Sequence, residues 1–347
     1  MMWRVNLKLV IVAVMMLLAA CVPALASEPN LIAHWTFDEG TGTTAYDSVG
    51  SHHGTLVGNP TWTTGQVDGA LSLDGMDDYV DLGLGAELDL ERTDQFTLSA
   101  WYRGTGSSNT VLSKMDRAVS FRGYDMFIQE GYVVAHIIST WTSNAIRVDG
   151  TLYPVTDSSW HHLVVTYDGS SSASGLRIYV DAMEEMTSVY RDSLSSTIRN
   201  SASFKVGARS DAAGTTQHLN GTIDDVRVYN RALAAEEIEQ LYWQGIGAVE
   251  FAVYCLTDAI AQKQDLLKLL NETIEKEWLA YEALDEAFET GDYDDLNKGD
   301  IVKSKQKIHS AIQHQEQSLN ALEKSIEKLE DSLSALGYTS EPNDTDD

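Results

Sequence analysis

Five acidic residues stand near the two ends of a glycine-rich region, close to its first and last expected strands: Asp38, Glu39, Asp47, Asp224 and Asp225. Ca²⁺ binds six to eight oxygens at about 2.3–2.6 Å, and carboxylates together with turn carbonyls supply such oxygens. This pattern predicts a structural calcium site that includes Asp38, Asp47, Asp224 and Asp225. The alternative is that these carboxylates cap turns by accepting hydrogen bonds from nearby backbone N–H groups.

Two histidine pairs, His52–His53 and His161–His162, are further candidates for metal or acid–base chemistry. Adjacent residues of a strand point to opposite faces of a sheet, so neither pair is expected to bring two imidazole rings together. The sequence contains no Gly-x-Ser-x-Gly turn, no Walker loop and no His-Glu-x-x-His motif. We therefore expect structural roles for these histidines and predict that the protein is not an enzyme.

Four aromatic residues near irregular segments are candidates for ligand contacts, because Trp and Tyr combine a flat apolar face with a polar tip. They are Trp62, Tyr124, Trp141 and Tyr153. The alternative is that most of them fill the core or seal its ends. The sequence therefore assigns no ligand-binding residue.

Short strands must position these groups. Residues 96–102 and 176–180 alternate with the period of two that a strand requires. Turn pairs such as Asp168-Gly169 and Asn220-Gly221 separate the strands. Many short strands without intervening helices predict a mainly β fold, an antiparallel sandwich.

Several motifs follow one another over residues 30–243: His34-Trp35-Thr36-Phe37-Asp38-Glu39-Gly40, Gly69-Ala70-Leu71-Ser72-Leu73-Asp74-Gly75, Trp160-His161-His162-Leu163-Val164-Val165 and Asn220-Gly221-Thr222-Ile223-Asp224-Asp225-Val226-Arg227. Together they resemble the laminin-G-like jelly roll of the concanavalin A-like lectin/glucanase superfamily. The resemblance implies two stacked antiparallel sheets in an exported protein, a module that contacts carbohydrate or protein. It also implies a structural Ca²⁺ near the first and last strands, where the four aspartates lie. The Glu-x-Asp-x-x-Glu run of related glucanases is absent.

Composition changes near residue 248. All the arginines and 22 of the 25 glycines precede it, and 23 acidic residues follow it. We therefore predict a jelly roll over residues 30–245, a helical region over 250–337 and an acidic tail over 338–347. The formal charge of −28 argues against nucleic acid as a partner, because phosphate binding needs clustered cations.

The helical region carries two heptad stripes, over residues 251–290 and 301–336, joined by a segment with two glycines. This pattern predicts an antiparallel α-helical hairpin, or coiled coil. Apolar residues off the narrow seam, among them Leu266, Leu269 and Leu279, favour homo-oligomerisation or docking. The alternative is that this flank packs on the jelly roll.

Residues 1–26 have the features of a secretory signal peptide: Arg4 and Lys8 precede a short apolar run. Two cleavage schemes remain open. Leu18-Ala19-Ala20-Cys21 resembles a lipobox in which Cys21 is lipidated, whereas Ala24-Leu25-Ala26 is an ordinary cleavage site. Both place the protein outside the cytoplasm, with membrane contact only through a lipid anchor on Cys21.

These features predict an exported, non-catalytic binding module whose jelly roll recognises a glycan or a surface protein. One alternative is a structural cell-envelope protein with a protein partner and no sugar. The other is a relative of the glycoside hydrolases that has lost its catalytic acids.

Overall fold

The computed structural model describes residues 28–211, 214–291 and 298–338. The chain divides after Ile246 into a β unit and a helical unit. The predicted signal peptide with Cys21, and residues 339–347 of the predicted tail, lie outside the described residues. None of the described helices is both long enough and apolar enough to cross a membrane.

Nineteen strands form in the described part of the chain. The first ten are β1 (Leu31–Trp35), β2 (Thr44–Ala45), β3 (Gly54–Val57), β4 (Thr61–Thr64), β5 (Gly69–Asp74), β6 (Tyr79–Asp81), β7 (Phe96–Gly104), β8 (Ser108–Asp116), β9 (Arg122–Gln129) and β10 (Tyr132–Thr140). The others are β11 (Asn144–Gly150), β12 (Trp160–Tyr167), β13 (Leu176–Val180), β14 (Met183–Glu184), β15 (Thr187–Asp192), β16 (Lys205–Val206), β17 (Arg209–Asp211), β18 (Gly214–Thr216) and β19 (Asn220–Tyr229). Single 3₁₀ turns occur at Ala86–Leu88, Arg117–Val119 and Ala173–Gly175.

The strands form two sheets. The first sheet has the order β14-β13-β12-β7-β19-β5-β4, and β1 also pairs with β19. The second sheet has the order β15-β11-β10-β9-β8-β16-β6-β3-β2, with the β17–β18 hairpin attached at β8. Pairing is antiparallel except for a single parallel contact between β17 and β8. This arrangement confirms the predicted jelly-roll sandwich.

The core lies between the inner faces of the two sheets. In β7, Phe96, Leu98, Ala100 and Tyr102 all point into it, as the alternation in the sequence predicted. Phe96 packs against Tyr124 of the second sheet, with ring centroids 5.2 Å apart. Each large side chain buried in this way contributes about 1.5–3 kcal/mol of hydrophobic stabilisation.

Helix α1 (Ala235–Ile246) covers the outer face of the first sheet. Its buried residues Ile238 and Leu241 pack in one apolar cluster with side chains of β12, β13 and β19. Near its end, a Cβ on Gly245 would lie only 2.5 Å from the ring of Trp101. Glycine at this position therefore lets the helix approach the sheet closely.

The helical unit consists of α2 (Ala248–Thr290) and α3 (Lys298–Ala335). Helix α2 ends at Gly291, which is left-handed (φ 73°) and whose N–H bonds to the carbonyl of Ala287. Ile260, Ile326 and Leu333 form a buried cluster between the helices. This packing confirms the predicted helical hairpin.

The polar residues of the predicted seam pair across the two helices. Lys263 Nζ donates to Ser325 Oγ, Gln315 Nε2 donates to Glu277 Oε1 at 3.1 Å, and Lys305 forms an ion pair with Asp285. Positions that rise along α2 pair with positions that fall along α3, so the helices are antiparallel. Such polar seam contacts fix the register of helix pairs.

Candidate ligand-binding site

Asp47, one of the four predicted calcium ligands, caps a turn. Its Oδ1 accepts the N–H groups of His34 and Val49, both at 3.0 Å, and its Oδ2 accepts that of His52 at 3.1 Å. Burial works to raise the pKa of this carboxyl, but these donors and the N–H of Gly50 outweigh it and lower the pKa. Both carboxylate oxygens of Asp47 are therefore occupied by backbone N–H donors of the turn.

The negative charge of Asp225 is stabilised by side chains and not by backbone N–H groups. It is buried beside β1 and contacts His34 Nε2 at 2.6 Å, and its other oxygen pairs with Arg227. Burial alone would raise its pKa, but the hydrogen bond to His34 and the charge of Arg227 lower it. Asp225 is thus held as a carboxylate by two side chains.

Asp224 and Asp38 retain oxygens that a cation could use. Asp224 is fully buried, and its Oδ2 accepts the N–H of Val67 at 2.8 Å. Its Oδ1 has no hydrogen-bond partner among the described residues. Burial, with the charges of Asp225 and Asp38 adding to it, raises the pKa of Asp224 to about 8. Asp38 is exposed and accepts the N–H of Gly69 at 2.7 Å.

The four predicted aspartates therefore do not form one common set of ligands, since donors already occupy Asp47 and Asp225. Calcium remains a prediction, which these contacts restrict to Asp224 and Asp38. A different acidic group, Asp74, Asp77 and Asp78, has ligand atoms within 4.8 Å of one another. Asp78 accepts the N–H groups of Asn59 and Asp74, so turn capping accounts for its burial.

The two histidine pairs differ. His52 Nδ1 lies 3.2 Å from Asp47 Oδ2, and His53 Nδ1 accepts the N–H of Asp47 at 3.0 Å, so both rings contact the same residue. His161 and His162 point apart. His161 contacts Asp181 at 2.7 Å and Asp157 at 3.0 Å; burial lowers its pKa, but these carboxylates outweigh burial and raise it. His162 lies on the opposite face of β12, where its Nε2 is 2.8 Å from the hydroxyl of Ser99.

The Ser99–His162 pair was not anticipated from the sequence. Both residues are fully buried under α1. Burial, reinforced by the charge of Arg227, lowers the pKa of His162 to about 4, so the ring is neutral. Its Nδ1 has no partner within the described ranges, so no carboxylate orients the ring as a catalytic triad requires. The pair is a structural contact between β7 and β12, and the ring of His162 also lies 6.3 Å from that of Tyr242 in α1.

A groove crosses the outer face of the second sheet. Here "the groove" means two adjoining cavities of about 480 and 440 Å³ over β9, β10 and β11. Both cavities are lined by Gln129, Glu130 and Arg147. Since alternate residues of these strands face the core, the remaining ones, such as Phe127 and His136, face the groove.

The floor of the groove is a buried charged triad. Asp125 Oδ1 lies 2.8 Å from His136 Nδ1, and Asp125 Oδ2 accepts from Arg209 Nε at 2.6 Å. Burial would raise the pKa of Asp125, but Arg209 and His136 outweigh it and lower the pKa, while burial lowers the pKa of His136. The guanidinium of Arg209 stacks on Phe127 at 4.1 Å. The floor is therefore rigid and internally neutral.

Two glutamines border this floor. Gln217 Oε1 accepts from Arg209 at 2.6 Å, and Gln129 Oε1 accepts from Arg147 at 3.2 Å. Because the oxygens face the arginines, each amide keeps an NH₂ group that has no partner in the part of the chain that the structure describes. Two oriented donors are thus left for a ligand.

One side of the groove is lined by Trp141, Arg147 and Tyr190, and Arg191 lies beside it against two of these rings. Arg147 stacks on Tyr190 at 4.7 Å, and Arg191 lies over both Trp141 (4.7 Å) and Tyr190 (5.5 Å). Trp141 also meets His136 edge to face, with centroids 5.6 Å apart. These planar groups give the groove amphipathic walls.

Of the four aromatic candidates from the sequence, only Trp141 lines the groove. Tyr124 is buried in the core and donates its O–H to the carbonyl of Leu88. Trp62 and Tyr153 pack against the core. The missed groove residues had a signal: Asp125, Phe127 and Gln129 alternate with apolar residues along one strand, as do Arg147 and Asp149 along another.

A third cavity, of about 290 Å³, lies between α2 and α3 and is lined by Tyr281, Phe288 and Lys305. Lys305 lies over both rings and pairs with Asp285, so its charge is already compensated. This cavity offers fewer oriented polar groups than the groove.

Residues 74–239 match the laminin-G family model of the concanavalin A-like lectin/glucanases superfamily. This match lies within the β unit, whose two antiparallel sheets form a sandwich with the concanavalin A-like fold. No curated protein sequence matches the chain.

Three solved structures illustrate the similarity in fold. The binding domain of Paraclostridial Mosquitocidal Protein 1 has 15% identity and a TM-score of 0.49, over 61% of this chain and 52% of that chain. Domain 4 of AbnA, a GH43 extracellular arabinanase from Geobacillus stearothermophilus solved with arabinotriose, has 18% identity and a TM-score of 0.41, over 62% of this chain and 98% of that chain. The botulinum neurotoxin serotype C1 binding domain has 12% identity and a TM-score of 0.47, over 62% and 52%. The match thus spans about half the length of the two toxin domains.

Proposed function

We propose that this protein is a non-catalytic binding module that holds an oligosaccharide in the groove. The observation that carries the proposal is the continuity of the two cavities, which share Gln129, Glu130 and Arg147. A trough of this kind suits a linear chain of several units better than a single small molecule.

The chemistry of the groove supports a polyhydroxylated ligand. Asp125 neutralises Arg209 and Asp149 neutralises Arg147, so the central part needs no counter-charge. The side-chain amides of Gln129 and Gln217 supply fixed donors, and Trp141 supplies an aromatic surface. Sugars combine hydroxyl groups with apolar C–H faces, so such a mixture of oriented polar groups and rings complements them.

A protein partner is the second candidate. Five apolar side chains on and beside the edge strand β15 are exposed: Leu152, Met183, Met186, Val189 and Tyr190. Exposed apolar groups concentrated at one edge favour protein contacts. A structural envelope protein without sugar binding would use this edge instead of the groove.

The test is a glycan array with the full chain, followed by calorimetric titration of any oligosaccharide that binds. Trp141→Ala is expected to weaken binding about five- to tenfold, because one aromatic contact is worth roughly 1–1.5 kcal/mol. Trp62→Ala is the matched control, since Trp62 is half-buried on the other sheet. Absence of binding to every glycan, or equal losses in both variants, would overturn the proposal.

We also propose that the protein is exported and that the hairpin drives self-association. Leu266, Leu269 and Leu279 are exposed on α2, which supports pairing with the same surface of a second copy. Sedimentation of the full chain should show a dimer that Leu266→Lys with Leu269→Lys dissociates, and a monomer at all concentrations would contradict this. Mass spectrometry of the mature N-terminus separates lipidation of Cys21 from cleavage after Ala26.

A further inference from the structure

Strand β15 contains a bulge beside the groove. Arg191 is opposite Arg147 and Val189 is opposite Val148, so Tyr190 is an extra residue between these pairs. A bulge sets two residues of one strand against one of its neighbour and can redirect a side chain. Here the rings and guanidinium groups of Tyr190, Arg191 and Arg147 come together on the groove side.

The bulge places two cations directly opposite each other. Like charges at facing positions of neighbouring strands repel, and sequences generally avoid them. Asp149 compensates only Arg147, to which it is bound by two hydrogen bonds of 2.6 and 2.7 Å. The neighbouring Asp192 is engaged elsewhere, because it accepts from Ala173 and Ser172.

Arg191 is the cation without a compensating charge. Its NH1 donates to the carbonyl of Thr142 at 3.2 Å, and no described carboxylate forms an ion pair with it. Its Nε is buried and has no hydrogen-bond partner among the described residues. A half-buried guanidinium with a free donor, held between Trp141 and Tyr190, is unusual in a chain whose formal charge is −28.

We propose that Arg191 binds the anionic group of an acidic oligosaccharide at the β15 side of the groove, next to Arg147, which is already paired with Asp149. This inference rests on the proposed function, since it names the class of glycan that the groove takes. A carboxylate or sulfate suits the site because guanidinium groups bind both through paired N–H donors. The remaining sugar units then extend over Gln129 towards the Asp125–His136–Arg209 floor.

The experiment compares three groups of oligosaccharides on the full chain: neutral ones, oligogalacturonates, and sulfated ones, each titrated at low and high salt. We expect binding of an acidic group that weakens as salt rises. Carboxylated and sulfated ligands distinguish the two sources of the anion. Binding of neutral oligosaccharides alone overturns this inference but leaves the proposed function intact, whereas binding of none overturns both.

Variants locate the anion. Arg191→Gln is expected to weaken binding of the acidic ligand about tenfold or more, because it removes charge-assisted hydrogen bonds. Arg191→Lys keeps the charge but loses the planar fork, so it should weaken binding less. Arg177→Gln, an exposed arginine of the first sheet, removes the same net charge elsewhere. Equal affinities for Arg191→Gln and Arg177→Gln, with unchanged melting temperatures, would place the anion elsewhere and refute the inference.

Discussion

The outer faces of the two sheets carry similar charged clusters, but only one of these clusters is open to solvent. On the first sheet, Asp225 is paired with His34 and Arg227; on the second, Asp125 is paired with His136 and Arg209. Both are buried carboxylates held between an imidazole and a guanidinium. The polar layer of the first face lies beside α1, whereas that of the second forms the floor of an open groove.

The difference shows that a buried polar cluster does not by itself identify a site. Beneath α1, the layer includes the fully buried Ser99–His162 pair and Trp101, against which Tyr242 stacks at 5.6 Å. On the second face, none of the helices described for the β unit covers the triad, and aromatic side chains form walls around it instead. Access therefore distinguishes a structural cluster from a candidate binding surface.

The largest expected effect concerns Asp224, near the covered face. Its raised pKa means that the folded state retains a proton that the unfolded state has lost, so its contribution to stability falls as pH rises from about 4 to about 8. At pH 9 in chelator, Asp224→Asn should increase the free energy of unfolding by several kcal/mol, with roughly 6 kcal/mol as the upper bound.

Denaturant unfolding followed by tryptophan fluorescence measures this difference, and comparison with the wild type removes the effect of other titrating groups such as His161. At acidic pH, below the unfolded pKa of Asp, the two proteins should be about equally stable. A variant less stable than wild type at pH 9 would show that folding does not raise the pKa of Asp224.

The second prediction contrasts the two carboxylates. Asp125→Asn leaves Arg209 buried without its counter-charge, and breaking a buried pair costs about 3–5 kcal/mol. Asp225→Asn should have a similar cost on the covered face, but only Asp125→Asn should also weaken glycan binding.

Urea titration gives the stability change, and calorimetry gives the affinity under conditions where each variant is folded. Glu184→Gln, which breaks the exposed pair with Arg177, is the control with little expected change. Loss of affinity in Asp225→Asn would mean that the covered face also takes part in binding.

The fold could be predicted from the sequence because strands and helices leave local patterns of apolar residues in it. Alternation in β7 places Phe96 to Tyr102 correctly, and the heptad spacing places Ile260 opposite the second helix. Turn pairs separated the strands, and the family motifs implied two stacked antiparallel sheets. None of these patterns depends on the direction in which a particular loop leaves its sheet.

The groove was harder to predict because its parts come from distant segments. Arg209 reaches Asp125 across 84 positions, and the bulge at Tyr190 depends on the register of β15 against β11. The aspartates near the first and last strands are close in the fold, as expected, but the sequence could not reveal that backbone donors occupy Asp47. Whether the oxygens of a carboxylate already accept hydrogen bonds depends on the tertiary structure, and it cannot be read from the composition.

The smallest expected effect tests calcium at Asp38, which follows β1, and at Asp224, which lies within β19. With only Asp224 and Asp38 keeping oxygens for a cation, binding would be weak, and stabilisation follows RT ln(1 + [L]/Kd), about 2.7 kcal/mol at a hundredfold excess over Kd. Millimolar Ca²⁺ should raise the melting temperature of the wild type relative to chelator, and Asp224→Asn should abolish the rise. Asp47→Asn should lower stability yet keep the calcium response, because Asp47 caps a turn. A calcium response that depends on Asp47 and not on Asp224 would instead place the ion at the turn and leave Asp224 as a purely protonated, buried acid.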